Sequence, residues 1–190
     1  MKRCGVPTER SFMAKIILKR GRHNIPEDGC CLMETVSLSC GEPFSDAPAT
    51  TCTILAAFSR ELNDCAAWLS DGERTDMLMP LVEVLANTAT SDIMKQSERL
   101  SILHARAMAA LDIVRDEELD TMTRLFVDAS IYRAGEFIAC HQRPVEAAYC
   151  CAEVFDRLAM KMLERDNRFL RWKLLAAAVD ALRQAAGSHA

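Results

Sequence analysis

Apolar residues recur at helical spacing along most of the chain. From Cys52 onward they fall three or four positions apart, and steps of three and four alternate most regularly near the C-terminus. Four such stripes are Ile54, Leu55, Phe58, Leu62, Cys65 and Leu69; Leu100, Leu103, Ala107, Leu111 and Val114; Ala148, Cys151, Phe155, Leu158 and Met162; and Trp172, Leu175, Val179 and Leu182. The spacing predicts amphipathic helices packed at shallow angles in a bundle. Shorter patterns predict two more helices over 77–85 and 117–133.

The first quarter of the chain has a different pattern. Residues 12–19 (FMAKIILK) predict a short β-strand or one arm of a hairpin, and a turn follows over 21–26. Residues 30–40 predict a helix that ends at Gly41, and a loop with two prolines follows over 42–51. We therefore expect a strand-turn-helix-loop unit ahead of the bundle.

Length and composition place these elements in one mainly α-helical domain. The chain has 190 residues, which suffice for one substantial core, and no linker is long enough to divide it. Residues 1–190 are predicted to form a single domain with a flexible tail (1–11), the strand-turn-helix-loop unit (12–52) and a helical bundle (53–190). The last two stripes are expected to pack in the core, although the seam of a homodimer through the C-terminal helices would have the same pattern.

Charge is distributed unevenly along the chain. The formal net charge is −4, but residues 1–22 hold seven basic side chains against one acidic side chain, Glu9. An acidic body gives no reason to expect nucleic-acid binding, except through this basic N-terminal arm. A protein is the more natural partner.

The cysteine content bears on the cellular compartment. Nine cysteines are an odd number, and several lie at helical core spacing, where a thiol packs as a small apolar group. The N-terminus MKRCGVPTERSF lacks the apolar segment of a secretion signal, and no stretch is apolar enough to cross a bilayer. We predict a cytoplasmic protein with reduced thiols and no membrane association.

Candidate chemistry is concentrated between His23 and Cys52. One hypothesis is a zinc site, because thiolates and imidazole are zinc ligands and four must converge tetrahedrally. His23, Cys31 (or the adjacent Cys30), Cys40 and Cys52 are the candidate ligands. No Cys-x-x-Cys pair occurs in the chain, so the usual spacing of structural zinc is missing and no cofactor is predicted.

A second hypothesis is a nucleophilic cysteine. Cys31 stands at the start of a predicted helix, where the helix dipole lowers a thiol pKa, with His23 and Glu34 as candidate catalytic partners. The five residues 28–32 (DGCCL) resemble the Asp-Gly-x-Cys-Leu stretch of ovarian-tumour-type deubiquitinases, which would make Cys31 the nucleophile. Those enzymes use a histidine on a strand far downstream. Here the downstream histidines, His104 and His141, lie in or beside predicted helices.

A third hypothesis is purely structural. Cys31, Thr35 and Leu38, with Leu32 as a further candidate, would form the inward face of the helix. Glu34 would hydrogen-bond the loop at residues 45–46, and Asp28 would cap the start of the helix. This hypothesis accounts for the polar groups without assigning them a reaction.

The same segment carries a family resemblance. Its main motif residues are Asp28, Gly29, Cys31, Met33, Glu34, Gly41, Glu42, Ser45, Asp46 and Pro48. Lesser matches are Gly21, His23, Pro26, Glu27, Pro43, Phe44, Ala57, Phe58, Asn63, Asp64, Met79, Pro80, Leu81 and Thr88.

Together these residues resemble a family of uncharacterised bacterial and phage proteins with the pattern Cys-x-Met-Glu…Gly-Glu-x-Phe/Trp-Ser-Asp-x-Pro. The resemblance covers roughly residues 18–110. Ala47 and Thr50 depart from it, because His and Cys are common there in the family, and both departures remove potential metal ligands. The resemblance implies a shared helical fold and no particular reaction.

The sequence thus favours a non-enzymatic protein-interaction or binding module. One alternative is a metal-binding protein or a cysteine-dependent enzyme that uses His23, Cys31, Glu34 and Asp46. Another is a phage-related inhibitor of a host protein, which the small size, the acidity and the family resemblance suggest.

Overall fold

Helices make up most of the molecule. The computed structural model describes residues 16–65, 67–114, 119–140 and 142–187. Within these ranges there are eight α-helices: α1 (Leu32–Ser39), α2 (Thr53–Cys65), α3 (Asp71–Leu78), α4 (Leu81–Leu85), α5 (Ile93–Ala110), α6 (Thr121–Ala139), α7 (Pro144–Glu164) and α8 (Arg168–Ala186). Short 3₁₀ turns occupy Pro26–Asp28 and Leu111–Ile113. The prediction of a mainly helical protein is confirmed.

The centre of the bundle is α7, which packs against α2, α5, α6 and α8. Small residues make this crowding feasible, because Ala147, Ala148 and Ala152 let neighbouring backbones approach closely, and all three are buried. Phe58 of α2 meets Phe155 of α7 edge to face, with ring centroids 6.1 Å apart and planes at 76°.

The predicted apolar stripes face the inside of the molecule. In α7, all five members from Ala148 to Met162 are buried, and in α8, Leu175, Val179 and Leu182 are buried with Trp172 packed beside them. These stripes serve core packing, so the seam suggested for a homodimer is already occupied by helices of the same chain.

The predicted N-terminal strand is not supported. Residues 12–15 lie outside the described residues, and in the described part of the chain the extended pairing is one isolated parallel bridge between Leu18 and Cys30. The Leu18 N–H donates to the Thr75 hydroxyl of α3 over 2.8 Å, so the segment is held by a helix and by one bridge rather than by a sheet.

Two predicted helices have different limits in the structure. The helix predicted over 77–85 is two helices, α3 and α4, because Pro80 lacks a backbone N–H and cannot continue α3. The helix predicted over 117–133 begins later and continues to Ala139, since Asp120 caps it by accepting from the Thr123 N–H.

The start of α3 could not be predicted from the sequence, because the residues of its N-terminal cap are also typical of a turn. Ser70 and Glu73 form a capping box in which each side chain accepts from the other's backbone N–H. Gly72 lies inside the first turn, which makes the Ser-Asp-Gly sequence resemble a turn rather than a helix start.

The α-helices in the described residues are short or polar relative to the apolar core of a bilayer. None of them is both long enough and apolar enough to span a membrane.

Candidate functional site

Glu34 is the centre of the polar cluster near the N-terminus. Its side chain in α1 has no exposed surface. Oε1 accepts from the His23 backbone N–H at 2.6 Å, and Oε2 accepts from the Cys31 N–H at 2.7 Å. The Nδ1 atom of the His23 ring lies 2.8 Å from Oε2. The structure therefore brings together the three catalytic candidates, His23, Cys31 and Glu34.

The cluster includes the helix cap of α1. Cys31 is the N-cap residue, and its sulfur accepts from the Glu34 N–H at 3.4 Å while Glu34 accepts from the Cys31 N–H. This is a capping box with a thiol where serine or threonine usually stands. Asp28, the residue expected to cap the helix, is exposed in the preceding 3₁₀ turn and instead offers its carbonyl to Lys19 Nζ at 3.0 Å.

Asn63 of α2 attaches this cap to the bundle. Its Oδ1 accepts from the Leu32 N–H at 3.3 Å, and its Nδ2 donates to the Lys19 carbonyl at 2.9 Å. The neighbouring Asp64 accepts from the Gly21 N–H at 2.8 Å. The side chains of one dipeptide therefore bind both the N-terminal segment and α1.

Gly29 has a steric role next to this network. Its φ of +125° lies in the region that favours glycine, and a Cβ there would come within 2.6 Å of the Lys19 side chain. Among the other motif residues, Met33 and Pro48 are buried, while Gly41 follows α1 with a φ of +68°. These positions shape the unit rather than present chemistry.

The loop after α1 is held by the other polar groups of the motif. Glu42 accepts from the backbone N–H groups of Ala49 at 2.7 Å and Thr50 at 2.8 Å. The nearby Thr50 side chain and these hydrogen-bonding N–H groups lower the pKa of Glu42. Ser37 donates to the Ser45 carbonyl at 2.6 Å. Ser37, rather than Glu34, is thus the residue of α1 that bonds the loop.

Asp46 lies at the edge of the same loop. Its side chain is 3.7 Å from Arg22 Nε, and its backbone carbonyl accepts from Arg60 of α2 at 2.9 Å. Asp46 therefore links the N-terminal segment, the loop and the bundle, and its carboxylate faces a basic side chain.

The Cys31 thiol is not in the state expected of a nucleophile. The sequence predicted a pKa lowered by the helix N-terminus, but Cys31 is only 4% exposed. Burial raises the pKa of the thiol to about 12, and the Glu34 carboxylate adds to the rise despite the favourable backbone hydrogen bond. Near neutral pH the thiol stays protonated, which removes the reactive form.

The zinc candidates do not form a common metal site within the described residues. His23 contacts Glu34, Cys40 follows the end of α1, and the Cys52 N–H donates to the Thr88 hydroxyl at 3.1 Å. Within the described ranges, no three His, Cys, Asp or Glu side chains come close enough to share a metal ion. His104, in α5, lies 3.1 Å from the Ile131 carbonyl, and His141 lies outside the described residues.

Thiol reactivity tests the nucleophile hypothesis directly. In the native protein, iodoacetamide near neutral pH is expected to modify exposed Cys140 well before buried Cys31 and Cys151, because burial also raises the pKa of Cys151 to about 12. Peptide mass spectrometry over a time course measures the order. Labelling in denaturant is the control and should equalise the rates, whereas rapid native labelling of Cys31 would contradict the structural role.

A second feature was missed from the sequence: α6 is apolar on two faces. Val127 and Ala134 point into the core and are buried. On the opposite face lie exposed residues that we call the outer stripe: Met122, Leu125, Phe126, Ala129 and Tyr132. Its four large side chains are between 51% and 69% exposed. The signal was present as two overlapping sets with helical spacing, of which a bundle needs only one.

A groove continues the outer stripe towards α5. Its volume is about 440 Å³, and Met108, Leu111 and Ile131 supply apolar walls next to Tyr132. Arg124 and Asp128 stand at its edge as an ion pair, with Arg124 Nε 3.2 Å from the carboxylate. Together the stripe and the groove form an apolar surface with a polar rim.

A third cluster lies between α2 and α7. The Cys65 thiol donates to Glu61 at 2.8 Å, and Asp156 of α7 faces both residues beside a cavity of about 20 Å³. Burial raises the pKa of Asp156 to about 6; Glu61 and Glu153 add to the rise, and Arg157 opposes it. The surroundings of Asp156 therefore favour the neutral form of its carboxyl group.

The Asp156→Asn variant should change how stability depends on pH. The folded-state pKa lies above the unfolded value, so the favourable contribution of this group is complete below about pH 4 and is lost as pH rises through about 6. Asn does not ionise, so the variant should lack this decline and be more stable at pH 7 by about 1 kcal/mol, since water screens the partly exposed carboxylate.

Urea unfolding between pH 3.5 and 7.5, roughly the window set by the two pKa values, measures the effect. Asp76→Asn, at an exposed position of α3, is the control for the loss of one negative charge. A parallel pH dependence for wild type and Asp156→Asn would show that the pKa of Asp156 is not raised in the folded state.

Comparison with known proteins gives no match: the chain matches no protein-family model, no curated protein and no solved structure. The family resemblance noted above therefore rests on the motif residues alone.

Proposed function

We propose that this protein is a non-enzymatic, cytoplasmic protein-interaction module whose binding surface is the outer stripe of α6. The observation that carries the proposal is the exposure of the four large apolar side chains of that stripe, each more than half exposed to water. An isolated helix face of this composition is unfavourable in water and is typical of a protein interface.

The N-terminal polar cluster supports the non-enzymatic side of the proposal. Glu34 uses its carboxylate to cap α1 and to hold the His23 backbone, and Cys31 uses its sulfur as a cap acceptor. The pKa of Cys31, raised to about 12, leaves too little thiolate for nucleophilic attack near neutral pH. These groups stabilise the unit that carries the family motif, and the interaction surface is elsewhere.

The chemistry of the surface supports the kind of partner. Aromatic residues and methionine are enriched at protein interfaces, and the stripe contains Phe126, Tyr132 and Met122. Arg157 lies over the Phe126 ring, with Cζ 5.4 Å from its centroid, and Arg124 borders the groove. An apolar centre with an arginine-containing rim fits a protein partner better than a nucleic acid, which would need a larger positive surface.

The cytoplasmic setting is supported by the state of the thiols. In the part of the chain that the structure describes, all eight cysteines are free. Free buried thiols persist in a reducing compartment.

Photo-crosslinking tests the surface with a matched pair of positions. Met122 and Met94 are exposed methionines that occupy the second residue of α6 and of α5, respectively. A photoreactive phenylalanine analogue at position 122 should give protein adducts at several times the yield of the same group at position 94.

The adducts at position 122 must also be lost when Leu125→Glu is introduced in the same chain, since a buried charge in the stripe would prevent binding. Equal yields from the two positions, or adducts that survive Leu125→Glu, would show that the outer stripe is not the binding surface.

A further inference from the structure

We infer that the partner of the outer stripe is a second copy of this chain, bound antiparallel across a two-fold axis. The inference rests on the proposed function and names the occupant of the same surface. Three properties of α6 carry it: the symmetry of the stripe, the charges at its edge and its area.

Four of the five members of the outer stripe have the same spacing when they are read in either direction. Met122, Leu125, Ala129 and Tyr132 are separated by steps of three, four and three residues. The two-fold axis would cross the helix pair at the level of residue 127 along α6. Met122 then lies opposite Tyr132 of the second copy, and Leu125 lies opposite Ala129 of the second copy. A large side chain faces a small one at the inner pair, as close helix packing requires.

This spacing is also the one that packs helices inside the molecule. The buried stripe of α7, from Ala148 to Met162, has the same alternation of three and four. An antiparallel α6 pair would therefore use the packing geometry that already holds the bundle together.

The residues along the two edges of the stripe are compatible with the two-fold arrangement. Arg124 and Asp128 form an ion pair on one flank. In an antiparallel pair centred at position 127, Arg124 lies close to Asp128 of the second copy, so opposite charges alternate along that edge. On the other flank, Phe126 lies next to the axis and meets Phe126 of the second copy.

The exposed apolar area of the stripe supplies about half of what a standard dimer interface needs. A fully exposed aromatic side chain presents roughly 150–250 Å², so the four large members of the stripe expose on the order of 400 Å² of apolar surface. The polar rim and the wall of the groove around Met108 extend this towards the roughly 800 Å² per partner of a standard interface. A helix of 19 residues spans about 28 Å, enough for the two-fold contact.

Analytical ultracentrifugation of the full chain over a concentration series tests the inference. The weight-average mass should rise from the chain mass of 21.1 kDa towards twice that value. Leu125→Glu should raise the dissociation constant at least about 100-fold, because it places a charge in the centre of the interface. Met94→Glu, at the matched position in α5, should leave the dissociation constant unchanged, and circular dichroism should show that both variants are folded.

A charge pair tests the register. Met122→Glu alone should weaken the dimer, whereas the double variant Met122→Glu/Tyr132→Lys should restore it at low salt, because each glutamate then faces a lysine of the second copy. The two positions are ten residues apart, so they do not pair within one helix. A dimer that the second substitution does not restore would overturn the antiparallel register.

The remaining outcomes separate the inference from the proposed function. A wild-type chain that stays monomeric at all concentrations overturns the homodimer. If position 122 nevertheless gives adducts with another protein and Leu125→Glu abolishes them, the interaction function stands and only its partner changes. A dimer that is insensitive to Leu125→Glu overturns the assignment of the interface to α6.

Discussion

Replacing Glu34 with alanine is expected to lower the free energy of unfolding by about 4 kcal/mol. The carboxylate has no exposed surface and satisfies three nitrogen atoms, two of His23 and the N–H of Cys31. Without it, the Cys31 N–H stays buried and unpaired, the two partly buried nitrogens of His23 lose their partner, and α1 loses half of its capping box. Urea unfolding monitored by circular dichroism measures the change.

Glu73→Ala is the matched control for this experiment. Glu73 occupies the same third position in the capping box of α3, but it lies at the surface, where water replaces the lost hydrogen bonds. Its loss should have a small fraction of the effect. Similar losses for the two variants would mean that Glu34 acts only as a helix cap and that its contact with His23 adds nothing.

The Phe58→Ala variant should lose about 3–5 kcal/mol of unfolding free energy. Phe58 is fully buried, and its ring joins α2 to α7 through the edge-to-face contact with Phe155. Truncation removes apolar contact area and leaves a cavity that α7, enclosed by four helices, has little room to fill. Thermal and urea unfolding give the change.

Phe169→Ala separates packing from composition in that experiment. Phe169 is 71% exposed on α8, so its truncation should change stability by no more than about 0.5 kcal/mol. The double variant Phe58→Ala/Phe155→Ala should lose less than the sum of the single losses, because the ring contact is counted in both. Strict additivity would contradict a direct contribution from the ring pair.

The bundle was predictable because its signal is repeated. Each stripe of α7 and α8 extends over several turns, and every turn adds the same information about which face is buried. The limits of the helices were less predictable, because they depend on single residues with two meanings. Ser70 both ends one pattern and caps the next helix, and Pro80 divides two short helices that share one apolar run.

The segment that holds the N-terminal polar cluster could be predicted from the sequence, but the hydrogen-bond partners within the cluster could not. The density of Cys, His and Glu identified the segment that contains the cap of α1. The partners of Glu34 depended on how the chain folds back at His23, eleven residues earlier, and on the contact of Asn63 with both segments. Such contacts between distant positions leave no periodic signal. The prediction of a low pKa for Cys31 was wrong for the same reason. Burial raises this pKa, and the burial is set by neighbouring helices that the local sequence does not show.

The outer stripe of α6 shows the opposite limit. Its residues were visible in the sequence, but the two apolar faces of α6 weaken each other in any measure of amphipathicity. Only the packing of α6 against α7 shows which of the two apolar faces of α6 stays exposed.

The position of α7 also constrains how this protein can diverge. Because α7 packs against four helices and Ala147 and Ala148 are fully buried, an added methyl group at either position would displace neighbouring side chains or backbone. In related chains these positions should accept only residues of similar volume, such as glycine, serine or cysteine. The evolutionary record of this fold should therefore be most restricted in side-chain volume along α7, whereas surface helices can vary freely in size wherever no partner covers them.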